Sequence, residues 1–131
     1  MDSLNVEYRP HSASTLPRCL MGDFIEEMVS HRLREAGFKE IAETIVVRVT
    51  SSLDWNFNPS KVLVDNFRTS DGLCVPPSLR YRQKCILLCL NTEDSDICLF
   101  CLYVDEFNES CPEPNKSVVR IAYVDSTHYF R

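Results

Sequence analysis

The chain has 131 residues, 44% of them hydrophobic and 25% charged, with a formal net charge of −5. That is the make-up of one small globular domain, large enough for a core yet leaving about a third of its unfolded-chain surface exposed, and it excludes a disordered or low-complexity chain. The acidic balance disfavours direct nucleic-acid binding and favours basic partners such as lysine-rich peptides.

The N-terminus carries Asp2, Glu7, Arg9 and Pro10 with no apolar core, unlike a signal peptide. The longest apolar run, residues 97–104, is too short to cross a bilayer. A soluble intracellular protein without membrane contact is expected. Its seven cysteines, an odd number, are then read as reduced thiols rather than a disulfide framework.

Residues 1–14 are polar and aperiodic and predict a flexible arm ahead of a domain over residues 15–131. Ser14 or Thr15 is suited to cap a helix with Pro17 in its first turn. Leu20, Phe24 and Met28, with Ile25, Val29 and Leu33, form an apolar stripe at helical spacing, expected to pack on a sheet. Gly37 is placed to stop that helix. Residues 44–50, nearly all β-branched, predict a strand, and residues 51–61 a loop anchored by Trp55 and Phe57. Val62, Val64 and Phe67 predict a short second strand, followed by a surface loop over residues 69–79. Residues 81–90 and 97–104 read as a hairpin, and CPEPN as a proline-bearing loop.

The closing stretch VVRIAYVDSTHYFR alternates Val119, Ile121 and Tyr123 with Arg120, Ala122 and Val124, the period of a strand with a partly buried face. It ends in Asp125 and Ser126, which place a carboxylate, a hydroxyl and backbone amides at the rim of a sheet. Ligands are often held there. By themselves these two residues read first as an ordinary strand-ending turn.

Several groupings invite other chemistry. Cys98 and Cys101 form a CxxC, but residues three apart on a strand point to opposite faces and cannot readily grip one ion. Cys85 and Cys89 would share a face, with no histidine cluster nearby to complete a metal site. No metal is therefore expected. Asp125, Ser126 and His128 have the residue types of a hydrolase triad, yet sequence neighbours rarely meet in that geometry, and no glycine-rich elbow surrounds the serine.

YRQKCILLCL, DICLFCLYVDEF, CPEPN and VVRIAYVDSTHYFR follow one another in the order and spacing of the catalytic domain of the CREB-binding-protein type of histone acetyltransferases. The resemblance covers residues 81–131, and a weaker likeness through HSASTLPRCLMGDFIEEMVSHRLREAG extends to that domain's first helix. The chain resembles the first third of such a domain. The likeness implies an α+β fold, with one long N-terminal helix on a mostly antiparallel sheet of four to five strands. It implies protein-lysine acetyl transfer from acetyl-CoA to histones or other lysine-rich proteins, in transcriptional regulation in the nucleus. Val124, Asp125 and Ser126 match the contact with acetyl-CoA, Tyr123 a position close to the lysine-bearing peptide, and Gln83 a threonine position beside the peptide groove.

The chain departs from the family pattern at Ser117 and Val118, which replace two arginines, at Cys101, which replaces a glycine, and at Asp94, where the hairpin turn has glycine. The family's phosphate-gripping arginine and threonine, its Trp-bearing loop and its tyrosine general acid match no residue of this sequence. Little or no autonomous activity is expected. A non-catalytic interaction module that pairs through an open sheet edge, and an unstable remnant with an uncovered apolar face, are the rival readings.

Overall fold

The computed structural model describes residues 12–66, 76 and 78–128. It is an α+β structure with one long helix and a four-stranded antiparallel sheet in the order β1-β2-β3-β4. The strands are β1, Ile45–Phe57; β2, Leu79–Asn91; β3, Asp96–Glu106; and β4, Val119–Ser126. Helix α1 spans Leu20–Glu35, and two short helices follow, α2 at Lys39–Ala42 and α3 at Lys61–Asn66. Contacts divide the chain into two compact units. The first gathers the described residues of Met1–Thr50, Ile86–Cys101 and Asp125–Arg131, the second those of Ser51–Cys85 and Leu102–Val124.

In the first unit, α1 does not begin at the expected cap. Residues Ala13–Thr15 form one turn of 3-10 helix, and α1 starts after Cys19, whose Sγ accepts the Gly22 amide at 3.4 Å. The end is as expected: the Phe38 amide donates to Leu33 O at 2.8 Å and the Gly37 amide to Arg34 O at 3.1 Å. This pair of bonds needs a left-handed residue, and Gly37 supplies it with φ of 89°.

The face that α1 buries is also a correction. Leu20 is 90% exposed, and Phe24 and Met28 are exposed too, whereas Gly22 and Ser30 are buried and Ile25, Glu26, Val29 and Leu33 are half-buried. Polar anchors choose this face. Glu26 Oε1 accepts the Val47 amide at 3.0 Å and the Arg48 guanidinium at 3.1 Å, and Ser30 Oγ donates to Ala42 O at 3.1 Å. A side chain at position 22 would put its Cβ 3.3 Å from Val47 O, so glycine lets the helix approach the strand backbone closely. Four consecutive residues of β1, Ile45, Val46, Val47 and Arg48, are buried beneath this contact.

In the second unit β1 continues through residues 51–57, expected to be a loop, with every side chain exposed. The expected strand at Val62 and Val64 is helix α3, because Ser60 caps it, its carbonyl accepting the Val64 amide at 3.0 Å and its Oγ the Leu63 amide at 3.3 Å. Local capping overrides the β-branched preference here. Phe67 and most of the loop over residues 69–79 lie outside the described residues, as do residues 1–11 of the expected arm.

The β2–β3 hairpin is present. Asp94 in its turn keeps a negative φ, and Thr92 closes the turn by donating its amide to Ser95 O at 3.0 Å and accepting the Ser95 amide on Oγ1 at 3.1 Å. Among the described residues other than glycine, only Ser117 has positive φ, at 55°.

Candidate functional site

Strand β4 is an edge strand, and the expectation that Val119, Ile121 and Tyr123 lie on a partly buried face fails. All three are exposed, Tyr123 by 72%, and only Ala122 is half-buried. Alternation reports two different faces, but burial needs a covering element, and no described element covers β4. Tyr123 makes an edge-to-face contact with Tyr103 at 6.5 Å between ring centroids.

Val124, Asp125 and Ser126 are exposed at the carboxyl end of this strand. The strand end is fixed by the Thr127 amide donating to Leu99 O at 3.0 Å. Thr127 Oγ1 is buried without a hydrogen-bond partner. The exposed Ser126 hydroxyl can donate to amide or phosphate oxygens and the exposed Asp125 carboxylate can accept from a donor, so the residues are chemically compatible with a coenzyme thioester. Asp125 repels phosphate and suits only a donor-bearing part of such a ligand.

Gln83 is half-buried on β2, where its Nε2 donates to Asp105 Oδ1 at 3.3 Å. Asp105 is 1% exposed and takes two bonds from Arg120 on its other oxygen, at 2.6 Å from Nη2 and 3.2 Å from Nε. The three side chains thus form a polar row across β2, β3 and β4. Sequence reasoning missed Asp105 and Arg120. The available signal was an acidic pair, Asp105 and Glu106, closing an apolar strand; Glu106 accepts from Lys84 at 2.9 Å.

The second unit also contains a cavity of about 990 Å³, lined among others by Trp55, Tyr81, Phe107, Arg80, Glu109 and Ser117. Tyr81 and Phe107 stack at 5.5 Å on its wall. None of the five sequence-derived candidates lines it.

Cys85 and Cys89 are buried, and Cys98 and Cys101 half-buried. Among the described residues no three His, Cys, Asp or Glu side chains are placed to hold a metal ion. No described helix is long and apolar enough to cross a membrane. Burial, with the hydrogen-bonded Cys98 thiol and then Asp96 as lesser causes, pushes the Cys89 thiol up to about 11 from its ordinary value near 9. The folded state therefore holds this proton where the unfolded chain has lost it. The stability due to the neutral thiol is complete below about pH 9 and declines between about 9 and about 11. Urea titrations across that range should show the decline in the natural chain and a shallower one in Cys89→Ala.

A profile described as the histone acetyltransferase domain KAT3 matches residues 29–131. An α+β chain matched over most of its length in this way is of the histone acetyltransferase class. The chain belongs to the KAT3 histone acetyltransferase family. It is 37% identical to the probable histone acetyltransferase HAC-like 3 of Oryza sativa subsp. japonica, over 91% of this chain and 10% of that protein. It is 34% identical to histone acetyltransferase HAC12 of Arabidopsis thaliana, over 91% of this chain and 8% of that protein. It is 27% identical to the protein cbp-1 of Caenorhabditis elegans, over 91% of this chain and 6% of that protein. The chain thus spans about a tenth or less of the length of these relatives.

Proposed function

We propose that residues 15–131 are part of a protein-lysine acetyltransferase domain and supply one wall of its acetyl-CoA site. In this reading the exposed end of β4 carries the wall: Val124 and the Ser126 amide and hydroxyl contact the coenzyme, and Asp125 orients a donor group. Tyr123 and Gln83 belong to the peptide side, and the acceptor is a lysine of a histone or another lysine-rich protein. The setting is transcriptional regulation in the nucleus.

The single observation that supports the reading most is that the family's coenzyme-contact positions fall on a solvent-facing strand end, fixed by the Thr127 to Leu99 bond and not consumed by internal packing. The same exposure argues for weak action by the chain alone. Small-molecule sites bury about 70–90% of their ligand, and an uncovered strand end cannot approach that. Transfer further needs a held thioester, a deprotonated amine and an acid for the leaving thiolate, and no such constellation adjoins Ser126 among the described residues.

Titration of the 15N-labelled chain with acetyl-CoA tests both parts. Binding weaker than about 100 µM is expected, worth less than about 5.5 kcal/mol. Amide shifts should concentrate at Val124, Asp125 and Ser126, with no label transfer to histone peptides. Shifts elsewhere would sink the assignment of the wall, and micromolar affinity or turnover would sink the claim of weak autonomous action.

A second reading has its own observation. β4 is an edge strand whose Val119, Ile121, Tyr123 and Val124 are exposed, a template for strand addition by an extended partner segment. Such a partner would slow hydrogen exchange of the β4 amides without consuming thioester.

A further inference from the structure

We propose that Cys89 and Cys98 are a thiol pair built to form a reversible disulfide that joins β2 to β3. The hairpin sets their register. The Thr92 amide donates to Ser95 O at 3.0 Å and the Ser95 amide to Thr92 Oγ1 at 3.1 Å, so Thr92 faces Ser95 across the turn between the end of β2 at Asn91 and the start of β3 at Asp96. Stepping back along the two antiparallel strands places Asn91 opposite Asp96 and Cys89 opposite Cys98. Both pairs then occupy positions that exchange no backbone bonds with each other.

A second observation agrees. The Asn91 amide is donated away from β3, to Thr44 O at 2.8 Å. An amide can serve one side only, and Cys89, two residues earlier, has the same phase. At such positions facing Cα atoms lie about 4.5 Å apart, inside the range of about 4.4 to 6.8 Å that a disulfide bridges. Cys98 is also the neighbouring group that acts most strongly on the Cys89 thiol. Cys98 and Cys101 do not compete, since they alternate to opposite faces of β3.

The reaction takes a low-molecular-weight disulfide as oxidant. Cys98, the less buried of the two, attacks one sulfur as thiolate, forming a mixed disulfide and releasing one thiolate that takes a proton from water. Cys89 then loses its proton and attacks Cys98 Sγ, forming the protein disulfide and expelling the second thiolate. Two protein thiols are oxidised and one small disulfide is reduced to two thiols. Cys89 is buried, which disfavours its thiolate, so the second step is the slower one and quickens as the pH rises. The pair is thus silent under reducing conditions and responds to sustained oxidation. The staple sits one residue from Leu99, whose carbonyl anchors Thr127 at the end of β4.

The test uses the whole chain, with its seven cysteines, incubated with oxidised glutathione at pH 8.5. Thiol titration should show the loss of two thiols, and peptide mapping after acidic quench should find a Cys89–Cys98 linked peptide as the main crosslink. The melting temperature should rise by about 5 °C, as expected for closing a short loop, and fall back with dithiothreitol. Cys98→Ser, shown to fold by circular dichroism, should abolish the crosslink and the rise, and Cys101→Ser should keep both. Linkages at other cysteines, a glutathione adduct on Cys98 that persists at pH 9 without passing to Cys89, or an unchanged melting temperature in the crosslinked chain would overturn the proposal.

Discussion

Replacing Glu26 with alanine is expected to destabilise the protein by about 3 kcal/mol or more, a large part of the roughly 5–15 kcal/mol that such domains possess. Glu26 is the counter-charge for Arg48, which is 5% exposed and among the described residues otherwise donates to carbonyl oxygens, those of Val47 at 2.8 Å, Leu16 at 3.3 Å and Ser14 at 3.5 Å. Removing the carboxylate leaves a buried guanidinium without an opposite charge, and it also orphans the Val47 amide. Glu27→Ala, on the exposed side of the same helix, should stay within about 0.5 kcal/mol. The double variant Glu26→Leu with Arg48→Met separates causes, because replacing a buried pair by apolar groups is often near neutral. Equilibrium urea unfolding measures all three. If the double variant is as unstable as Glu26→Ala, the uncompensated charge is not what holds α1 to β1.

Arg120→Ala should cost about 3 kcal/mol for the corresponding reason in the second unit. It strands the Asp105 carboxylate, 2% exposed at its side chain, with Gln83 as its remaining side-chain partner. Arg82→Ala removes an ion pair of similar length, 2.9 Å to Asp54, but both of those side chains are more than half exposed. Its cost should stay below about 1 kcal/mol and shrink further in 1 M salt, whereas the Arg120 effect should persist. Equal costs for the two arginines, measured by urea unfolding at low and high salt, would show that burial of Asp105 does not govern the pair.

These two charge pairs also mark where reading from sequence alone runs out. The hairpin, the helix stop at Gly37, the strand character of residues 45–50 and the strand ending in Asp125 and Ser126 follow from local rules. They depend on β-branched runs, a left-handed residue and two-residue periodicity, each confined to a few neighbouring positions. The apolar stripe on α1 and the alternation on β4 are local rules as well; of the stripe only Ile25, Val29 and Leu33 are half-buried while Leu20, Phe24 and Met28 are exposed, and on β4 Val119, Ile121 and Tyr123 are all exposed. A stripe states what a helix could bury. In this chain Glu26 and Ser30 bond to β1 and to Ala42 O, and Gly22 lets the backbones close.

Helix α3 shows the opposite balance. The β-branched Val62 and Val64 favour a strand where the Ser60 cap makes a helix, and the extended course of residues 51–57 is hidden because Asn56 and Asn58 have turn character. Asp105 with Arg120 was not legible at all, since fifteen positions separate the partners and only strand pairing brings them together.

Family membership was legible in the residues because motifs such as CPEPN and YVDSTHYFR are long and contiguous, and matching them requires no knowledge of contacts. The sequence by itself thus determined the α+β class, the family, and that the closing strand ends in Asp125 and Ser126. Only the tertiary structure decided which side of α1 faces β1, that Arg48 and the Asp105 carboxylate are buried against their counter-charges, and that Cys89 stands opposite Cys98. The physical reason is that those outcomes depend on desolvation and on strand register, which are properties of pairs of residues far apart in the chain.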